Sequence, residues 1–203
     1  MKTSAPQASL PLAAMLMLLP ATPALAHTVV GASVGFESGF LHPITGLDHL
    51  VAMVAVGLWG AQLGSPAIWV LPIAFPLVMA VGGFFGVAGF DLPLTEQVVA
   101  LSGIALGLLI ALQVRLPLWL ATILVGVFAI FHGYAHGREL PEAANPAAFG
   151  IGFVTATGLL HLSGIVIGLL VSWPIGARAV RACGAAIGCI GGYFLLAALG
   201  VIQ

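Results

Sequence analysis

The sequence predicts an all-α fold: a polytopic membrane helix bundle of six transmembrane helices after a cleavable signal peptide. Composition is the first reason. The 203 residues are 61% hydrophobic and 5% charged, with a mean hydropathy of +1.20. Soluble domains carry about 25% charged residues, so this chain cannot give a globule a charged shell and belongs in a bilayer. The second reason is a series of apolar stretches of spanning length, each bounded by Pro, Gly or charge. The third is the form of the N-terminus.

Lys2, the apolar run from Leu10 to Leu19, Pro20 and Ala24-Leu25-Ala26 make the n-region, h-region and small-residue cleavage site of a secretory signal. Residues 1–26 are therefore expected to be removed, leaving 27–203 as one six-helix transmembrane domain that begins at His27. Spans are expected at 33–60, 67–89, 95–113, 116–136, 147–172 and 177–201. All should be helices, because lipid offers backbone groups no other partner. They are separated by Gly64-Ser65-Pro66, Phe90 to Pro93, Arg115-Leu116-Pro117, Gly137 to Pro146 and Trp173-Pro174, loops too short for a second domain. A straight helix over residues 31–60 would be about 45 Å long at ~1.5 Å per residue. That exceeds the roughly 30 Å hydrocarbon core. A break or kink is expected at His42-Pro43, since proline suits the first turn of a helix and disrupts its interior.

Signal cleavage places the mature N-terminus outside, and six passes return the C-terminus outside. Arg115, Arg178 and Arg181 then fall in cytoplasmic loops, while Asp91, Glu96, Glu139 and Glu142 fall outside. Arg138, beside Glu139, is the one departure from the positive-inside rule. The expected location is a bacterial inner membrane, multi-pass, with both mature termini periplasmic.

Gly184, Gly188 and Gly192 recur every fourth residue, and Gly103/Gly107, Gly82/Gly86 and Gly164/Gly168 repeat the spacing. Small residues at this period let helix backbones approach closely. Cys183 and Cys189 fit neither a CxxC nor a zinc pattern and read as small packing residues.

The histidines carry the chemistry. His42, Asp48 and His49 lie in the first span, with Glu37 near its outer end. His132 and His136 end the fourth span, Glu139 follows three residues later, and His161 lies inside the fifth. An ionisable group at membrane depth costs several kcal/mol and signals function by default. His42 and His49 are seven apart, so they share a face of a continuous helix, which Thr45 and Met53 would extend. His132 and His136 are four apart and project from one face. In the orientation above these groups converge in the outer half of the bundle. Imidazole with carboxylate suits nickel, cobalt, zinc or copper(II), and the absence of thiolate argues against copper(I). Calcium and magnesium would take more oxygen ligands. Asp48 could ligate directly or orient a histidine.

At these residues the chain resembles the HupE/UreJ family, the hydrogenase- and urease-associated nickel/cobalt permeases. Three features carry the resemblance: Ala26-His27 at the signal end; His42-Pro43-x-x-Gly46-x-Asp48-His49; and Phe131-His132-Gly133-x-Ala135-His136-Gly137-x-Glu139. The family implies a six-helix permease that imports nickel or cobalt for metalloenzyme maturation. More distantly the chain is similar to larger nickel/cobalt transporters with a related histidine and Asp-His motif in a helix.

The expected function is therefore transport of Ni2+ or Co2+, with Zn2+ also compatible, through His42, Asp48, His49, His132, His136, His161 and Glu139, with His27 at the mature terminus. No resident cofactor is expected. The expected partners are the metal ion, bilayer lipid and further copies of the chain in a homo-oligomer. Net charge −1 leaves no nucleic-acid footprint. No GxxxxGK[ST] motif is present for ATP hydrolysis. The competing reading is an intramembrane zinc-dependent metalloenzyme, with three histidines holding the metal and Asp48 or Glu139 as acid/base. It lacks HExxH, so no enzymatic activity is expected.

Overall fold

A computed structural model describes residues 35–140 and 145–202. The expected signal peptide, His27 and Glu142 lie outside the described residues. Seven α-helices follow in order: α1 Phe36–Thr45, α2 Leu47–Leu63, α3 Ala67–Val87, α4 Thr95–Ala111, α5 Leu118–Arg138, α6 Pro146–Gly168 and α7 Pro174–Ala198. A 3-10 turn, Leu169–Ser172, extends α6. The fold is all-α, with no strand among the described residues.

By length and composition α3, α5, α6 with its 3-10 extension, and α7 can each cross a membrane. The pair α1 and α2 would be a fifth span, bent by 84°. Helix α4 is apolar but only 17 residues long. Its length of about 25 Å at ~1.5 Å per residue is near the lower limit for a span. Large apolar side chains face outward in rows, as Trp69, Ile73, Leu77, Val81 and Phe84 do along α3. A soluble monomer rarely exposes so much contiguous apolar surface. The chain is a multi-pass membrane protein.

The first span corrects one expectation. Pro43 sits inside α1, and the chain breaks at Gly46, whose backbone is extended at φ −83°, ψ 105°. His42 and His49 are therefore on different helices, and Thr45 is exposed, donating its hydroxyl proton to the His42 carbonyl. Met53 is buried on α2, one turn beyond His49.

Glycines set the pairing. A Cβ on Gly82 would collide with the Ile130 carbonyl, and one on Gly86 would lie 2.9 Å from the Arg138 amide. Helices α3 and α5 thus run side by side in the same direction. So do α2 and α6, where Gly57 abuts the His161 carbonyl and Gly168 abuts Leu58 and Ala61. Helices α4 and α7 run oppositely, with Gly103 against Gly191 and Gly107 against Gly188 and Gly184. The expected Gly184/Gly188/Gly192 row is shifted in part: a Cβ on Gly192 meets nothing, and Gly191 makes the close approach instead. Cys183 packs against the core, whereas Cys189 is exposed.

Helix α2 is the axis, buried on all sides from Val51 to Gln62 except at Val54. At one end of the bundle Trp59 Nε1 donates to the Val114 carbonyl at 3.1 Å, Gln62 Nε2 to Ile110, and Arg181 Nε to Ala111. Of these acceptors, Ala111 is a carbonyl that the end of α4 leaves without a helical partner. At the other end Gln97 Nε2 donates to the Ala198 carbonyl, and Tyr134 Oη donates to Phe90 while accepting from the Leu92 amide. This second end carries the histidine motifs.

Candidate metal centre

The sequence of α5 explains how its histidines are presented. Gly133 and Gly137 lie one turn apart and face α3, where added Cβ atoms would strike the Met79 and Gly83 carbonyls. With that face closed against a neighbouring backbone, His132 and His136 turn inward, and both are buried. The glycines of Phe131-His132-Gly133-Tyr134-Ala135-His136-Gly137 are thus the packing half of the motif.

Helix α1 lies against the start of α6, where a Cβ on Gly39 would meet the Phe149 backbone. This brings His42 to α5. Its Nε2 is 2.9 Å from His136 Nδ1 and 3.3 Å from Glu139 Oε2. One donor atom from each of His42, His136 and Glu139 falls within 4.8 Å of the others. Phe149 and Phe153 of α6 wall this cluster, the Phe153 ring lying 4.4 Å from that of His136.

The break at Gly46 starts α2 with Asp48 and His49. His49 Nδ1 donates to Asp48 Oδ1 at 2.9 Å. The His49 ring packs 4.4 Å from His136 and 5.1 Å from His132, between centroids. The order of imidazoles is therefore His42, His136, His49, His132.

Hydrogen bonds fix which nitrogen of each inner ring is free. His132 Nδ1 donates to the Phe128 carbonyl at 2.9 Å, and His161 Nδ1 to the Met53 carbonyl at 2.7 Å. A carbonyl or carboxylate can only accept, so each Nδ1 must carry the proton. In the neutral form of each ring, Nε2 of His49, His132 and His161 is then the nitrogen with the bare lone pair. All three are buried with no hydrogen-bond partner among the described residues. An unsatisfied buried polar group costs about 1–3 kcal/mol, and such groups are few in native proteins. Two of them, on the neighbouring imidazoles His49 and His132, mark a place for a ligand that accepts lone pairs, and a metal cation is one.

Of the sequence-predicted residues, His42, Asp48, His49, His132, His136 and Glu139 come together. His161 is not in this cluster; the ring of Phe75 contacts both it and His132, at 5.4 Å and 5.5 Å. Glu37 is exposed on α1. Phe75, Phe149 and Phe153 were missed by sequence reasoning, because nothing in an apolar chain with 11 phenylalanines distinguishes them.

The HupE / UreJ protein family model matches residues 14–194. Among curated proteins, Protein HupE of Rhizobium leguminosarum bv. viciae is 43% identical over 177 residues, covering 87% of this chain and 93% of that protein. No solved structure matches the chain.

Proposed function

The chain belongs to the HupE/UreJ family, and from that premise we propose that it is a permease that imports nickel or cobalt across a bacterial inner membrane through the His/Asp/Glu site. The observation that carries this reading is the pair of tautomer-locked Nε2 lone pairs on the neighbouring rings of His49 and His132, buried without partners among the described residues. Neutral imidazoles whose other nitrogen is held by a carboxylate or carbonyl are the usual form of a metal-binding histidine.

The outer cluster adds a geometric argument. Donor atoms bound at about 2.0–2.1 Å to one ion stand roughly 3 Å apart around it. The His42–His136 and His42–Glu139 separations, 2.9 Å and 3.3 Å, are of that size. One of the two rings carries the proton of the hydrogen bond between them, and one ion bound to both nitrogens would require that proton to move to the ring's other nitrogen. Asp48 acts one step back, holding His49 in the correct tautomer and supplying negative charge beside the path. The donors are nitrogen and oxygen, which favours nickel, cobalt or zinc over copper(I).

Helix directions support six passes. Alternating passes through the bent pair, α3, α4, α5, α6 and α7 require α3 with α5 and α2 with α6 to be parallel, and α4 with α7 antiparallel. Those are the relations made by the glycine contacts. With the signal removed, the histidine-bearing end is periplasmic and both mature termini lie there. Cobalt titration of the full chain purified in detergent tests the reading. The account expects visible ligand-field absorption in the wild type that is lost in a His49→Ala/His136→Ala double variant. Equal spectra for the two proteins would refute it.

A further inference from the structure

His161 and Phe75 are not explained by an outer site alone. His161 is 2% exposed, and its lone pair has no partner among the described residues. It lies 15 residues beyond Pro146, roughly 22 Å along α6 from its outer end. His132 lies six residues from Arg138, about 9 Å from the same end of α5. Those two ends are staggered, because His136, two residues from the end of α5, packs against Phe153, seven residues into α6, so His161 is the deeper imidazole by about one helical turn. Thr157, one turn before it on the same helix face, is also fully buried, with its hydroxyl unpartnered among the described residues. These two buried groups, unpartnered among the described residues, lie one turn apart in the middle of α6, Thr157 at its midpoint and His161 beyond it.

The Phe75 ring touches both His161 and His132 of the outer site. It is fully buried and meets His132 at 66° and His161 at 83°, edge to face with both. The segment that carries it is unusual. Pro72 and Pro76 flank Phe75 inside α3, so two amide donors are missing from its turn and the helix is weakened there. A ring on such a turn can swing without unfolding the whole helix, and its π face tolerates a passing cation.

We propose that His161 Nε2, with Thr157 Oγ1 beside it, is a second and inner station for the divalent cation, and that Phe75 is the gate separating it from the outer histidines. The inference rests on the permease reading above. A cation released by His132 reaches His161 only after the Phe75 ring has moved. The two stations are therefore not in open contact, and an ion enters the inner one by leaving the outer one.

The test uses the full chain with cobalt as the only probe. Equilibrium dialysis in detergent should give one fewer bound cobalt per chain for His161→Ala than for the wild type, while the outer-site spectrum persists. In proteoliposomes the same variant should lose cobalt uptake by about tenfold or more, the scale of a lost metal contact. Phe75→Trp, which enlarges the gate, should keep the outer-site spectrum and slow uptake. Phe75→Leu, which shrinks it, should transport at least as fast as the wild type. Should His161→Ala fail to accumulate, His161→Gln is read in its place, since its amide can still donate to Met53 but offers no imidazole. Wild-type stoichiometry and uptake in the His161 variant would overturn the inner station. Wild-type uptake in Phe75→Trp would overturn the gate. Loss of cobalt binding in His49→Ala alongside either result would leave the outer site standing, whereas no cobalt binding by the wild type would overturn both readings.

Discussion

His42 Nε2 and His136 Nδ1, 94 positions apart in the chain, lie 2.9 Å from each other. This contact joins the motif of the first span to that of the fourth, and Glu139 Oε2 stands 3.3 Å from the same His42 nitrogen. The contact exists because three separate devices coincide. Gly39 lets α1 press onto α6, Gly46 turns the chain into α2, and Gly133 with Gly137 turns the α5 histidines inward.

Asp48 and His49 should fail differently. His49→Ala removes a lone pair from the path, and nickel or cobalt uptake should be abolished while the protein remains in the membrane. Asp48→Asn keeps the shape but not the charge that orders His49 Nδ1–H. Metal affinity should fall by about 10–100-fold, the usual cost of losing a supporting partner. Uptake kinetics at limiting metal check both. Wild-type kinetics in both variants would make the first-span motif structural.

The glycine half of the α5 motif should be needed for folding. In Gly133→Ala the new Cβ would strike the Met79 carbonyl and lie 2.9 Å from the Gly83 amide. Forcing α3 from α5 should cost about 1–3 kcal/mol, read as a lower thermal midpoint in detergent. Gly126→Ala on the same helix meets nothing within 4 Å, and its effect should stay within about 0.5 kcal/mol. Equal midpoints for the two variants would contradict the packing account.

Uptake should depend on external pH with a definite sign. The metal and the proton compete for the same imidazole lone pairs, and an unperturbed imidazole titrates near about 6.5. Lowering external pH through roughly 6 should reduce uptake, and raising it again should restore it. Flat uptake across that range would argue against capture by neutral histidine.

Much of this was legible in the sequence because imidazole and carboxylate stand out in a chain with 5% charged residues. Their helical spacing predicted that His132 and His136 would share a face, and they do. The all-α class and most helix boundaries followed from apolar length and Gly/Pro punctuation. The position of the break did not. Proline in a sequence marks one lost hydrogen bond, which α1 tolerates at Pro43, whereas the extended backbone that ends α1 belongs to Gly46. Which glycines touch, Gly191 rather than Gly192, depends on how α4 and α7 are rotated in the assembled bundle, and a four-residue period alone does not fix that rotation. Phe75 was invisible because its role comes from what lies on either side of it.

His27, outside the described residues, is expected to become the mature N-terminus. Its α-amine, with an unperturbed pKa of about 7.7–8.0, could then chelate a metal together with its own imidazole and deliver it toward His42. His27→Ala, with cleavage verified by mass spectrometry, should raise the apparent KM for uptake and largely keep the maximal rate. Unchanged uptake at limiting metal would reject capture at the terminus. So would a wild-type mature protein that retains residues before His27.

The central claim is that the histidine-bearing end of the bundle passes a divalent metal through the membrane. Its most direct measurement is nickel or cobalt uptake into proteoliposomes containing only this chain, with Asp48→Asn reconstituted at equal density. The account predicts saturable, metal-dependent uptake by the wild type at limiting metal and strongly reduced uptake by the variant. Wild-type vesicles no more permeable than protein-free vesicles, or a variant that equals the wild type, would contradict it.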